Sequence, residues 1–238
     1  GCGSGAKLAL LVERMRRARP MLVRLVDISQ TALELSARTL GSLSDVSVVG
    51  HRAAFGPGLR EAVARRPMQG SMLVLFLGSN IGNFHPAAAE MFLREVRECL
   101  RPGDAFLLGA DLVKPKEDLL LAYGDPVGVT AAFNKNLLDR INRELGGDFD
   151  LQAFDHEPRW NAAASRVESH LVSRRDQVVN VPFAGLTIAL CAGETIWTES
   201  SYKYEPEGLV AMGRTAGFVC RAQWIEPAAR FALTLFGG

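Results

Sequence analysis

Three groups of residues have types and spacings that could do chemistry. The chain opens Gly1-Cys2-Gly3-Ser4-Gly5, and Leu8, Leu11, Val12 and Met15 then recur at helical spacing. A short apolar run, Leu22 to Val26, follows and ends at Asp27. A glycine loop opening a helix, then a strand ending in an acid about 20 residues on, is the mark of a nucleotide site. Glycines let the backbone approach the ligand, and the carboxylate accepts hydrogen bonds from two ribose hydroxyls. The second group is the loop Gly78-Ser79-Asn80-Ile81-Gly82-Asn83, which follows the continuous apolar run Met72 to Leu77. Open α/β sheets place ligands beyond the carboxyl ends of such buried strands, and the Asn83 amide there can both donate and accept. The third is Glu199 and Ser201. Residues two apart on a strand share a face, so a carboxylate and a hydroxyl reach one pocket while Ser200 faces away.

These groups need a frame. Ser29 caps a helix to about Leu40, and Val46 to Val49, Met72 to Leu77 and Ala105 to Gly109 read as further strands. Pro86 starts a helix that Arg101-Pro102-Gly103-Asp104 stops. The first helix is read from Lys7 to about Arg17. This alternation predicts a doubly wound, Rossmann-like α/β sheet. After Asp111 the rhythm changes. Lys114 to Tyr123 and Val127 to about Leu145 read as helices. Arg166 to Arg174, Gln177 to Val181, Leu186 to Cys191 and Thr195 to Tyr204 read as antiparallel strands. A helix from Glu205 to about Ala216 and a closing strand pair, Phe218 to Ile225 and Phe231 to Phe236, end the chain. The reading places a nucleotide domain at 1–113 and 203–238, with an inserted α+β lobe at 114–202. The strand expected before the glycine loop is absent, so the motif reads as N-terminally truncated.

Composition excludes several classes. Lys plus Arg number 27 against 26 Asp plus Glu, a net charge of +1, so the basic excess of a nucleic-acid binder is missing. No apolar run reaches the length that spans a bilayer. Cys2, Cys99, Cys191 and Cys220 show no CxxC or Cys/His ligand spacing, which implies reduced thiols, a cytoplasmic setting and no metal centre. His51, His85, His156 and His170 likewise show no ligand spacing and read as structural or exposed.

Four longer strings carry a resemblance. Phe76-Leu77-Gly78-Ser79-Asn80-Ile81-Gly82-Asn83, Gly109-Ala110-Asp111-Leu112-Val113-Lys114, Gly128-Val129-Thr130-Ala131-Ala132-Phe133-Asn134 and Glu199-Ser200-Ser201-Tyr202-Lys203-Tyr204 occur in that order. Together they resemble the histidine-specific Nα-methyltransferases of ergothioneine biosynthesis, along Gly1 to Phe236. The resemblance implies a class I methyltransferase sheet with a substrate-binding lobe. It also implies S-adenosylmethionine as cofactor, L-histidine as small-molecule substrate and hercynine as product, in a monomeric protein. It places cofactor roles on Gly3, Lys7, Asp27, Ala54 and Phe55. Substrate roles fall on Asn83, Tyr123, Glu199 and Ser201, with Asn83 and Tyr123 closest to the reacting amine. The imidazole then sits between the Glu199 carboxylate and the Ser201 hydroxyl.

Three residues depart from the family pattern. Ala54 stands where a carboxylate commonly accepts from the adenine amine, Ser169 where Met is common, and Asn80 where Thr is usual. Ser169 leaves room for one alternative, an N-methyltransferase for an amino acid with a larger, tryptophan-like side chain, and the missing first strand favours another, a cofactor-binding fragment without catalysis.

Overall fold

A computed structural model describes residues 1–15, 20–67 and 70–238. In chain order the elements begin α1 (Ala6–Met15), β1 (Met21–Asp27), α2 (Gln30–Gly41), β2 (Val46–Arg52) and α3 (Phe55–Ala64). They continue with β3 (Leu73–Phe76), α4 (Pro86–Cys99), β4 (Ala105–Asp111), α5 (Lys116–Gly124) and α6 (Val129–Leu145). Next come β5 (Phe154–Asn161), β6 (Arg166–Ser173), β7 (Gln177–Val181), β8 (Leu186–Leu190) and β9 (Thr195–Tyr202). The last are α7 (Pro206–Thr215), β10 (Val219–Glu226) and β11 (Phe231–Gly237). Arg16 and Arg17, assigned to the first helix from sequence, lie outside the described residues.

Two pieces of sheet carry the α/β part. β1 and β2 pair in parallel, with Asp27 at the carboxyl end of β1. A four-stranded sheet has the order β10-β11-β4-β3, with β3 parallel to β4 and β11 antiparallel to both its neighbours. The expected doubly wound sheet is thus present in two parts, and among the described residues β1 and β3 are each paired on one side only. The larger part buries Phe76, Leu93, Val96, Phe106, Leu108, Leu209 and Phe236 in one cluster. The smaller buries Val12, Leu25, Leu33 and Leu40 under α1 and α2.

The helix stop before β4 has a physical basis. Gly103 takes φ +89°, which glycine alone adopts without strain. Asp104, 4% exposed, then accepts from the backbone N–H groups of Arg101 and Met72 and pairs with Arg66 at 2.5 Å. Burial alone would raise the Asp104 pKa, but those hydrogen bonds outweigh it and hold the carboxyl below its ordinary value. One side chain thereby fixes the starts of both β3 and β4.

Several sequence-based boundaries shift. α5 begins at Lys116 instead of Lys114, because Pro115 disfavours helical geometry in the residue before it. The helix α3 and the strand β5 were not anticipated. The lobe contains an antiparallel sheet of order β5-β6-β9 and a separate β7-β8 hairpin, closed by Leu138, Phe149, Phe154, Leu171 and Val179. The chain leaves the α/β part at Leu112 and returns at Tyr204, and these two residues form a parallel bridge. Tyr204 N–H donates to Asp111 O at 3.1 Å and Val113 N–H donates to Tyr204 O at 3.0 Å.

β6 is tied down by Glu168, whose side chain is 13% exposed. Its carboxylate accepts from Asn161 Nδ2 at 2.9 Å and Arg166 Nε at 2.8 Å, and lies 3.2 Å from His170 Nε2. Burial by itself would raise the Glu168 pKa, yet these partners reverse the effect and bring it from 4.5 to about 2. A group whose folded pKa is depressed stabilises fully above its unfolded value and loses that contribution as pH falls through the folded one. Glu168→Gln should therefore cost about 1–3 kcal/mol at pH 7. The difference from the parent should shrink progressively below about pH 4.5. Urea unfolding of both proteins at pH 7 and at pH 3 checks this, and a difference independent of pH would refute it.

Candidate active site

At the N-terminal loop, Gly3 and Gly5 take φ of +55° and +75°. A Cβ on Gly5 would come within 2.9 Å of the Ser36 backbone, so the loop can lie on α2 only with glycine there. Ser36 Oγ donates to Gly3 O at 3.0 Å and Thr39 Oγ1 to Ser4 O at 2.9 Å. The Asp27 carboxylate then closes the loop: Oδ2 accepts from Cys2 N–H at 2.8 Å and Oδ1 from Ser29 N–H at 2.9 Å. Burial opposes ionisation of Asp27, but the Ser29 and Cys2 bonds prevail and its pKa is lowered. Ser29 itself caps α2, its hydroxyl accepting from Ala32 N–H.

Lys7 is exposed in the first turn of α1. Ala54 is the N-cap of α3 and offers no side-chain hydrogen bond. Phe55 is half-buried, in a cluster with Phe76, Phe84 and Phe92 at ring separations of 5.0, 6.3 and 6.3 Å.

The loop after β3 is clamped from several sides. Gly78 and Ser79 take φ of +77° and +61°. Ser79 Oγ accepts from Asp111 N–H at 2.9 Å, and Tyr204 Oη donates to Ile81 O at 3.1 Å. Burial pushes the Tyr204 phenol up to about 12, keeping it a donor. Gly82 lies so close to β9 that a Cβ would meet Tyr202 O at 2.7 Å. This contact brings a single turn of 3-10 helix, Asn80–Asn83, against β9, which is an edge strand of the lobe sheet.

A cleft of about 250 Å³ opens between them, lined by Asn83, His85, Trp197, Thr198, Glu199 and Ser200. Two of the anticipated substrate residues, Asn83 and Glu199, thus share it. One sequence expectation is corrected here. Ser200 lines the cleft as well, because an unpaired edge strand presents consecutive residues to its open side. His85, although exposed, also lines the cleft, and its Nδ1 lies 2.9 Å from Tyr202 Oη. Among the described residues the Glu199 carboxylate has no hydrogen-bonding or ion-pair partner. Burial raises its pKa, and the Lys203 charge partly counters that rise. Ser169 stands opposite Glu199 on β6 and is 2% exposed.

Tyr123 and Ser201 meet one another instead of lining the cleft. Tyr123 Oη donates to Ser201 Oγ at 2.7 Å. Both accept from Lys203 Nζ, at 2.8 and 3.0 Å. Lys203 is held 2.8 Å from Asp111 Oδ2, while Lys114 lies 2.8 Å from Oδ1 of the same carboxylate. Sequence reasoning named neither Lys203 nor Asp111 as a site residue. A signal existed: Lys203 follows Glu199 and Ser201 at the same two-residue spacing.

Among the described residues there is no cluster of potential metal ligands and no helix long and apolar enough to cross a membrane. The arrangement of loop, acid-terminated strand and sheet is that of an S-adenosylmethionine-dependent methyltransferase. A solved enzyme of that class from Clostridium acetobutylicum superposes with a TM-score of 0.51 at 10% identity, covering 99% of this chain and 80% of its own. The chain belongs to the SAM-dependent, histidine-specific methyltransferase family, whose model matches residues 1–237. It is 40% identical over 237 residues to histidine N-alpha-methyltransferase of Mycolicibacterium smegmatis, covering 99% of this chain and 73% of that protein. It is 26% identical over 231 residues to ergothioneine biosynthesis protein 1 of Neurospora crassa, covering 94% of this chain and 25% of that protein.

The N-terminal residues fit this cofactor. A carboxylate has about four acceptor directions; the Cys2 N–H, the Cys2 thiol at 3.6 Å and the Ser29 N–H engage three at Asp27, leaving one on Oδ1 for a ribose hydroxyl. Asp27→Ala should weaken cofactor affinity by about 1.5–3 kcal/mol, roughly ten- to a hundredfold. Calorimetric titration with S-adenosylmethionine tests this; unchanged affinity would remove Asp27 from the cofactor site.

Proposed function

We propose that the protein methylates the α-amine of L-histidine, in three successive transfers, to give hercynine, the entry step of ergothioneine biosynthesis. In this reading residues 1–113 and 203–238 hold the cofactor, and the lobe at 114–202 supplies most of the acceptor site. The observation that carries it is an unpaired, half-buried Glu199 carboxylate in a cleft with Asn83, beside the Tyr123–Ser201 pair. A buried carboxylate without a partner costs free energy until it meets a donor, and an imidazole N–H is such a donor.

The cofactor supplies an electrophilic methyl group bound to sulfur. The chain's own residues have three tasks: to hold the amine in line, to accept its proton and to exclude water. Glu199 and Ser201 fix the ring. Asn83, on a loop that the Ser79 and Tyr204 bonds immobilise, orients the amino-acid end. Tyr123, held by Lys203, presents a phenol oxygen to the amine. An α-amine titrates near pH 8, so a neutral fraction exists at pH 7 without a dedicated strong base. The ring contacts are untouched by loss of amine N–H groups, so the substrate stays anchored through successive transfers.

Mass spectrometry of histidine incubated with S-adenosylmethionine should reveal one, two and three methyl additions at the α-nitrogen. Methylation confined to the ring would sink the proposal. Within it, Glu199→Ala should lower kcat/KM for histidine by about 2–4 kcal/mol, since buried polar groups discriminate far more strongly than apolar pockets. Phenylalanine and tryptophan should suffer less, because they offer Glu199 no matching ring donor and acceptor pair. An equal loss for all three amino acids would make Glu199 a structural residue.

A further inference from the structure

Lys203 is unusual among the chain's lysines: its side chain is 1% exposed. Its ammonium pairs with Asp111 Oδ2 at 2.8 Å and donates to Tyr123 Oη and Ser201 Oγ at 2.8 and 3.0 Å. The two hydroxyls are also 2.7 Å apart, so one of them must donate to the other. A phenol is the stronger acid, so Tyr123 donates and Ser201 accepts. Counting lone pairs then fixes what each presents to a ligand. Ser201 Oγ has spent both lone pairs, on Lys203 and Tyr123, and keeps only its own proton to offer. Tyr123 Oη has given its proton away, receives one from Lys203, and keeps one lone pair.

We infer that Lys203, anchored by Asp111, is a positioning residue that sets the direction of the hydroxyl hydrogen bonds of Ser201 and Tyr123. It makes Ser201 a donor only and Tyr123 an acceptor only. Resting on the functional reading above, this deepens it into a rule for the substrate. With Glu199 as acceptor and Ser201 as donor, the pocket matches a ring carrying one N–H and one bare nitrogen, the neutral imidazole. The Tyr123 lone pair is left for an amine N–H. A ring with two N–H groups would set a donor against a donor at Ser201, and an apolar ring would satisfy neither partner.

Removing Lys203 should be compatible with folding, because Asp111 retains Lys114 at 2.8 Å. The test is a double-mutant cycle on the protein with S-adenosylmethionine, using Lys203→Met, Ser201→Ala and the two combined, with cofactor affinity by calorimetry. Lys203→Met should raise KM for histidine about tenfold or more while the Kd for S-adenosylmethionine stays within about twofold. Ser201→Ala should raise KM severalfold in the parent but less than about twofold in the Lys203→Met background, since Ser201 is no longer held as a donor there. Lys203→Gln, which keeps an N–H donor, should recover part of the loss, and it replaces Lys203→Met in the cycle should the latter not fold. Additive effects of the two substitutions, or parallel loss of histidine and cofactor affinity, would overturn the role of Lys203. A parent protein that forms no methylated histidine would overturn the functional reading and this inference with it; an active parent with an additive cycle overturns the inference alone.

Discussion

The Asp111 carboxylate is the interaction on which the site depends. It ends β4 and answers two ammonium groups, Lys114 on one oxygen and Lys203 on the other. A buried ammonium without a counter-charge would be expelled or neutralised, and in this protein expulsion would release Tyr123 and Ser201 together. The same residue donates its backbone N–H to Ser79, whose left-handed turn aims the loop carrying Asn83. One aspartate at a strand end therefore governs both the loop carrying Asn83 and the Tyr123–Ser201 pair. The Asp27 carboxylate plays a parallel part at the end of β1, where it closes the N-terminal loop through Cys2.

Sequence patterns exposed most of the α/β part because burial leaves a periodic trace. The apolar run ending at Leu77, the Ser29 cap and the Pro86 helix start all appear in the structure within a residue or two. Two elements were hidden by residues that usually break them. α3 opens Phe55-Gly56-Pro57-Gly58, yet a proline in the first turn loses no hydrogen bond, and Gly58 is needed because a Cβ would strike Val26. β5 carries Pro158 and several charges, which an edge strand tolerates because one side of its backbone has no ladder to complete.

Strand spacing pointed to Glu199, which lines the cleft, but not to the place of Ser201 beside Tyr123 and Lys203, which depends on chain crossings. Nothing in local spacing links Asp111 to Lys203, or Tyr123 to Ser201. Those pairs are made by the folding of the lobe against the sheet, and only the two-residue alternation Glu199, Ser201, Lys203 hinted that a cation shares their face. Phe55 illustrates the converse. An aromatic beside a nucleotide loop invites a stacking role, but packing against Phe76, Phe84 and Phe92 already accounts for one side of its ring.

The bridge between Leu112 and Tyr204 has a consequence for how such a protein can diverge. The lobe departs and returns at one rung of backbone hydrogen bonds, and apart from that rung β9 packs on the loop after β3, where Tyr202 lies against Gly82. Closing a longer excursion costs little, about 0.6 kcal/mol for each doubling of its length. Insertions or deletions in the intervening segment that spare β9 thus leave this seam in place. On the functional reading proposed above, the lobe is in effect a cartridge, and new amine substrates would be reached by rewriting it while the seam at Asp111 and Lys203 stays shut.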